Sequence, residues 1–596
     1  MRPAKETMTR TIMRRIPAVL TLLSSLVIPS PAASFGEEYQ VHVQAGVPVR
    51  MRDGVTLMAD IYRPAAPGKF PVLLERTPYN RRDAATGTFL ASRGYVVVLQ
   101  DTRGRFDSGG EFYPFRYESQ DGYDTVEWAA SLDYSDGQVG MFGGSYVGAT
   151  QMLAAMAKPP HLVAIFPYVT ASEYYDGWTY QSGALMQWFV SSWTTGLALD
   201  TLQRKTSARS RPKEWVEQMP LETYPLLSPA TATDLAPYFR DWIEHERGDD
   251  YWRQWKISDH YHEMTVKALH SGGWHDIFLK GSIANFIEMR RKAATQGARN
   301  GQRLLVGPWA HAATSPEGKI GDVVFGKDAV LDMNQTILKW HDFALKGQTN
   351  EYASGAPVRI FIMGDNVWRD EQEFPLARTR YTRYFLHSSR GANSVAGDGF
   401  LSFEAPAAER PDTYEYEPRN PLPTIGGRLC CGPALPPGPF DQRPNESRSD
   451  LLVFSTPPLA RDIEVTGFVT AELYAASSAR DTDFTAMLVD VEPNGYARFL
   501  TDGIVRARYR NSMEQGDPII PGTIYKFTID LWATSNVFKA GHRIRLYISS
   551  SNFPRFDRNL NTGEPILGAT RMEKARQIVY HDAGHPSVLI LPIIPR

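Results

Sequence analysis

The stretch Gly143-Gly144-Ser145-Tyr146-Val147-Gly148 constrains the fold more than any other part of this chain. Val139 to Phe142 before it is short and apolar and reads as a buried strand, while Ala149 to Ala157 after it reads as a helix. Ser145 therefore falls at a strand-to-helix turn. A turn that sharp strains the serine backbone, and glycines beside it let strand and helix approach each other. The serine oxygen is thrust outward, and the following N–H points into the same space as half of an oxyanion hole. The pattern G-x-S-x-G is met imperfectly, because Val147 stands where its last glycine belongs and Gly148 comes one residue later. Gly-Gly-Ser also occurs in ordinary loops, so this segment alone leaves a structural turn open.

The flanking pattern shows what the turn sits in. Tyr39 to Met51 alternates apolar and polar residues, Asp53-Gly54 supplies a hairpin turn, and Val55 to Tyr62 alternates again, which predicts an antiparallel opening. Phe70 to Glu75 and Gly94 to Gln100 are continuous apolar runs, suited to strands buried on both faces of a parallel sheet. With a helix over Asp121 to Leu132 and the strand Leu162 to Val169, they make an α/β unit. Residues 171–262 then turn helical and aromatic, holding Trp178, Trp188, Trp193, Trp215, Trp242, Trp252 and Trp255. A tryptophan-cored subdomain and a cap over the site are compatible readings of this insertion.

The α/β pattern resumes with the strand Val266 to Ser271, a helix from Ile277 to Lys292 and the strand Arg303 to Val306. A helix from Met333 to Lys346 precedes a linker at Gly347-Gln348-Thr349-Asn350. Short alternating strands then recur, from Val358 to Met363 through to Ser587 to Leu591, as in an all-β sandwich. The Pro-rich segment Arg410 to Ser447 reads as a long covering loop. The resulting division is 1–34 signal peptide, 35–170 with 263–350 catalytic domain, 171–262 cap and 351–596 sandwich.

At 596 residues the chain exceeds one core. Its net charge of -2 and the lack of a Lys/Arg block in its body argue against a nucleic-acid partner. Lys5, Arg10, Arg14 and Arg15 precede an apolar run from Ile16 to Ile28 and then Ser30-Pro31-Ala32-Ala33-Ser34, which predicts an export signal and a secreted or periplasmic protein. A membrane-anchoring helix is the alternative; no stable membrane insertion is expected once the signal is cleaved. The two cysteines are adjacent, Cys430-Cys431, so no disulfide framework is expected, and a vicinal disulfide or two thiols both fit.

A serine becomes a competent nucleophile when a histidine takes its proton and an acid orients that histidine. In α/β-hydrolases the chain order is serine, acid, histidine, on loops after successive strands. Asp276, in Gly272-Gly273-Trp274-His275-Asp276, and His311, in Gly307-Pro308-Trp309-Ala310-His311, both follow predicted strands and fit that order. Their plainer roles are helix N-cap and loop cap. His275 precedes the acid and so is in the wrong order for the base. Tyr79, in Thr77-Pro78-Tyr79-Asn80 after an early strand, could donate to an oxyanion beside the Tyr146 N–H. His260 and His262 show no metal-protease spacing, and no metal or organic cofactor is expected.

Taken in order, Arg76-Thr77-Pro78-Tyr79, Asp101-Thr102-Arg103-Gly104-Arg105, the Ser145 segment, Gly273-Trp274-His275-Asp276 and Gly307-Pro308-Trp309-Ala310-His311 resemble the cocaine esterase-like (CocE/NonD) hydrolases. Those are relatives of the Xaa-Pro dipeptidyl-peptidases and α-amino-acid ester hydrolases. The resemblance covers nearly everything after the signal and includes G-x-S-Y-x-G at the nucleophile, so Gly148 becomes a family mark. It implies an α/β-hydrolase fold with an inserted helical cap and a C-terminal jelly-roll sandwich. It implies Ser145 as nucleophile, His311 as base and acid, Asp276 as orienting carboxylate, and Tyr79 with the Tyr146 amide as oxyanion hole. Asp101 and Arg103 read as a structural ion pair near the site.

In the amino-acid ester hydrolases acidic residues shortly after the aspartate hold a substrate ammonium, whereas Ile277, Phe278 and Leu279 follow here. An apolar wall cannot pair with a cation. The expected substrate is thus a small-molecule carboxylic ester, with amides as a further class and no free α-amino group. Glu173 or Asp176 of the cap could restore that preference. An Xaa-Pro dipeptidyl-peptidase or acylase with the same machinery is the alternative, and a secreted binding protein a more distant one; a homo-oligomer is left open.

Overall fold

The computed structural model describes residues 38–208, 235–311 and 315–596. The expected export signal and Trp215 lie outside them. A hairpin, β1 (Val41–Arg50) and β2 (Thr56–Pro64), opens the described chain as expected across Asp53-Gly54. The parallel strands follow: β3 (Phe70–Thr77), β4 (Val96–Asp101), β5 (Ser135–Gly144) and β6 (Leu162–Tyr168). Helices α1 (Ala84–Ala91), α2 (Glu118–Ala130) and α3 (Tyr146–Met156) connect them. Because such strands are covered on both faces, every residue of β4 is buried.

The cap leaves the sheet after β6. It carries a small hairpin, β7 (Tyr180–Gln181) with β8 (Ala184–Leu185), and the helices α4 (Gln187–Ala208), α5 (Pro237–Glu244) and α6 (Asp250–Arg253). Its core is aromatic, with Trp178 and Trp242 wholly buried. Trp193 stacks on Trp242 with ring centroids 6.1 Å apart, and Phe115 of the sheet domain stacks on Tyr174 at 3.7 Å. Each such pair adds about 0.5–1.5 kcal/mol beyond its buried area, so the cap is glued to the sheet domain through rings.

The chain then returns to the sheet with β9 (Lys267–His275), α7 (Leu279–Lys292) and β10 (Gln302–Ala310). A small hairpin, β11 (Lys319–Ile320) with β12 (Val323–Val324), and α8 (Met333–Ala344) lead to β13 (Val358–Ile362) and β14 (Val367–Glu371). The ten-stranded order is β1-β2-β4-β3-β5-β6-β9-β10-β13-β14. The strand read at Val358 to Met363 as the first of the sandwich is thus an extension of the α/β sheet, parallel to β10. A short alternating strand does not carry the identity of its partner; here α8 serves as the crossover that brings β13 alongside β10.

Twelve further strands, from β15 (Arg380–His387) to β26 (Val588–Ile594), form the jelly-roll sandwich. Five of its strands, Phe400–Ser402, Asp412–Tyr416, Ala497–Arg506, Ala575–Asp582 and His585–Pro586, are absent from the sequence reading. Asp412–Tyr416, inside the segment taken as a covering loop, pairs with Ala575–Asp582. Ala497–Arg506 shows no alternation because all ten of its residues are buried. Cys430 and Cys431 are bonded to each other.

Within the sandwich His581 meets Glu409 through Nδ1 at 3.0 Å and Asp412 through Nε2 at 3.1 Å. Burial lowers its pKa, but the hydrogen bonds and charges of Asp412 and Glu409 outweigh burial and hold it above 6.5. A raised folded-state pKa contributes stability that is full below the unfolded value and is lost as pH rises through the folded one. His581→Gln is therefore expected to lower Tm more at about pH 5.5 than at about pH 9. Thermal unfolding of both proteins at the two pH values checks this; an equal loss at both would remove the charge argument.

Candidate active site

At the end of β5, Ser145 has φ 59° and ψ -125°, a conformation that a side chain rarely adopts and that packing must hold. Its N–H donates to the Tyr168 carbonyl of β6 at 3.0 Å, and its own carbonyl accepts from Gly148 and Ala149 N–H at 3.0 Å each. Gly143 has φ 134°, and a Cβ there would stand 2.1 Å from Val147. A Cβ on Gly148 would come within 2.8 Å of Thr170, so the glycine after Val147 serves the approach of α3 to the loop beyond β6. That is why the motif tolerates Val147 while keeping Gly148.

Tyr146 opens α3, so its N–H has no acceptor within the helix and adds to the positive N-terminal end. Its side chain points the other way. The buried hydroxyl donates to Glu118 at 2.9 Å and accepts from Phe115 N–H at 2.9 Å, and Arg76 pairs with Glu118 at 2.7 Å. This network anchors the first turn of α3 from beneath.

Asp276 and His311 follow β9 and β10, adjacent parallel strands in register at Gly273 and Gly307. Asp276 is wholly buried; one oxygen accepts from Phe278 N–H at 2.7 Å and the other holds His311 Nδ1 at 2.7 Å. A carboxylate on Nδ1 makes that nitrogen the protonated one and leaves Nε2 to accept a proton. The His311 side chain is 11% exposed. Ser145 and His311 stand at the ends of β5 and β10, with β6 and β9 between them, and no hydrogen bond joins the two among the described residues. Such bonds are often long in a free enzyme and tighten around substrate.

His275 takes no part. Its ring is buried between Phe325 and Phe499, with no protein partner on either nitrogen. Burial, aided by the Arg428 and Arg498 charges, pushes its pKa down to about 3 and keeps it neutral.

Tyr79 is 43% exposed. Trp193 Nε1 of α4 donates to the Tyr79 oxygen at 2.9 Å. Enclosure pushes the phenol upward, against hydrogen bonds with Trp193 and Ser145 and the charge of Arg105. Because an indole N–H only donates, the bond to Trp193 does not use the Tyr79 proton.

Phe278 meets the His311 ring edge-on at 5.2 Å and stacks on Trp178 at 4.3 Å, and Phe189 packs on both aromatic neighbours, Trp178 and Phe278. The cap acids are engaged elsewhere. Asp176 pairs with Lys280 at 2.7 Å and accepts from Ser182 N–H at 3.0 Å, while Glu173 accepts from the Ser258 hydroxyl at 2.6 Å. Asp101 and Arg103 do not pair with each other: Asp101 binds Arg81, and Arg103 binds Asp121 at 2.6 Å and Asp53 at 2.7 Å. Arg103 thus reaches back to α2 and to the turn of the first hairpin.

Residues 53–313 match the X-Pro dipeptidyl-peptidase (S15) family, and residues 350–590 the X-Pro dipeptidyl-peptidase C-terminal non-catalytic domain. Over 577 residues the chain is 38% identical to cocaine esterase of Rhodococcus sp. (strain MB1 Bresler), covering 93% of this chain and 99% of that one. The chain belongs to the cocaine esterase-like (CocE/NonD) family of serine hydrolases. In fold, this CocE/NonD hydrolase matches an aminopeptidase from marine sediment archaeon Thaumarchaeota archaeon, with TM-score 0.77, 24% identity and 96% and 99% of the two chains covered. It matches an α-amino acid ester hydrolase with TM-score 0.75, 24% identity and 96% and 100% covered.

Sequence reasoning missed the members of this CocE/NonD site that come from the cap. The tryptophans of the insertion were visible, but that Trp193 reaches Tyr79 and Trp178 reaches Phe278 depends on how the insertion packs on the sheet domain. Phe278 carried a signal, since it sits two residues after Asp276 in an apolar run.

Proposed function

We propose that this hydrolase cleaves carboxylic esters of uncharged acyl groups through an acyl-enzyme on Ser145. The observation that carries the reading is the 2.7 Å bond from His311 Nδ1 to buried Asp276, which leaves His311 Nε2 to act as the base for the strained Ser145. In this scheme Nε2 takes the Ser145 proton as its oxygen attacks the ester carbonyl. The Tyr79 hydroxyl and the Tyr146 N–H hold the negative charge of the tetrahedral intermediate. His311 then protonates the leaving alcohol, and water activated by the same nitrogen releases the acid.

The acyl preference is supported by the wall of Phe278, Trp178 and Phe189 and by cap acids already committed to Lys280 and Ser258. Asp176 is already neutralised by Lys280, which disfavours dipeptides with a free amine. Assays of p-nitrophenyl acyl esters against an Ala-Pro anilide test this. Esters are expected to be turned over with the higher kcat/KM, and a preference for the anilide would favour the dipeptidyl-peptidase alternative. We also propose export, on the charged and then apolar N-terminal pattern; N-terminal sequencing of the protein recovered outside the cytoplasm tests it.

A further inference from the structure

Arg105 ends the Asp101-Thr102-Arg103-Gly104-Arg105 run, and the proposed chemistry gives it no task. It is nonetheless one of the most deeply buried cations among the described residues, 1% exposed. Its Nε donates to the carbonyl of Pro78, the residue before Tyr79, at 2.8 Å. Its other nitrogens face α4: Nη1 donates to Thr201 Oγ1 at 3.1 Å and to the Leu197 carbonyl at 3.3 Å, and Nη2 pairs with Asp200 at 2.7 Å. Burying a guanidinium is expensive unless its planar fork reaches fixed acceptors. Here the fork reaches acceptors on two separate segments.

Trp193, Leu197, Asp200 and Thr201 recur at helical spacing and so share one face of α4. That face holds the Tyr79 hydroxyl directly through Trp193 and the Tyr79 main chain through Arg105. The other flank of the loop is tied to the sheet instead. Arg81 N–H donates to Asp101 at 2.8 Å, and its guanidinium pairs with Asp60 at 3.0 Å, with Asp107 at 2.9 Å and with Asp101. Tyr79 therefore hangs between a fixed anchor on the sheet and an anchor on the cap.

We infer that Arg105 is a positioning residue that makes the oxyanion tyrosine depend on the cap: Tyr79 holds its donor position only while α4 is docked. The inference rests on the proposed role of Tyr79. A donor in an oxyanion hole acts through its aim, and a shift of about 1 Å is enough to forfeit most of its effect. Loosening the Pro78 carbonyl should therefore slow the chemical step more than it weakens substrate binding. Its effect cannot exceed that of removing the Tyr79 hydroxyl.

A double-substitution cycle in the full-length chain tests this, with Arg105→Met and Tyr79→Phe read as kcat and KM on p-nitrophenyl acetate. Arg105→Met is expected to lower kcat about 10- to 50-fold with KM within about threefold, and to lower the kcat of Tyr79→Phe by less than about twofold. The same factor on both backgrounds, or a raised KM at unchanged kcat, would overturn the inference. Arg105→Lys keeps the charge but not the fork, and should retain most of the loss; wild-type kcat in that variant also overturns it. If Arg105→Met shows no cooperative thermal transition, Arg105→Lys carries the cycle. Wild-type kcat in Tyr79→Phe alone would instead remove the Tyr79 reading, a result separate from a slow Tyr79→Phe on which Arg105→Met still exerts its full factor.

Discussion

Ser145→Ala is expected to lower kcat on p-nitrophenyl esters by about a millionfold while leaving the thermal transition in place, because the proposed nucleophile is the one group without a substitute. Alanine bears the same backbone strain as serine at φ 59°, so the turn loses its oxygen and keeps its geometry. The bonds that hold the turn run through main-chain atoms, from Ser145 N–H to Tyr168 and from Gly148 and Ala149 to the Ser145 carbonyl, and none of them needs the hydroxyl. Labelling by a fluorophosphonate should vanish together with turnover. A variant that keeps more than about one per cent of wild-type kcat would place the reaction on another residue.

The second large effect is expected from Asp276→Asn, about ten-thousandfold in kcat, although the substitution changes one atom. The reason lies in what the carboxylate already does. One oxygen accepts from Phe278 N–H, so the carbonyl of the introduced amide would keep that place and turn its NH2 toward His311. An amide NH2 beside Nδ1 forces that nitrogen to accept, which moves the ring proton to Nε2, the atom that must take the serine proton. The expected variant is folded, with the wrong tautomer. Steady-state kinetics on the same esters checks it, and a loss of less than about tenfold would mean that the His311 tautomer does not limit the reaction.

Much of this arrangement was legible in the residues alone. The Gly-Gly-Ser turn, the two Gly- and Trp-bearing strand ends and the continuous apolar runs are local signals, and local signals fix where strands end and where side chains must emerge. The resemblance to CocE/NonD hydrolases then ordered them. What stayed hidden was decided at long range. Nothing near Val358 says that its partner is Leu304 and not a strand of the sandwich. Ala497–Arg506 hides its strand character because both faces are covered, and its polar members, Arg498, Thr501, Asp502 and Arg506, are buried with the rest. Asp101 and Arg103 looked like partners because they are near in sequence, whereas side chains two apart at a strand end need not meet. His275 was already in the wrong chain order for the base; what the sequence could not show is its enclosure by Phe325 and by Phe499, which arrives from the sandwich.

The sheet that carries Ser145, Asp276 and His311 finishes beyond the linker at Gly347-Gln348-Thr349-Asn350, with β13 and β14 supplied from the C-terminal side. Anyone trimming the protein at that linker would strip β10 of its outer neighbour, and the bared row of amides and carbonyls at Leu304–Val306 would recruit strands from other molecules. A shortened enzyme meant to stay monodisperse has to run through Glu371 at least.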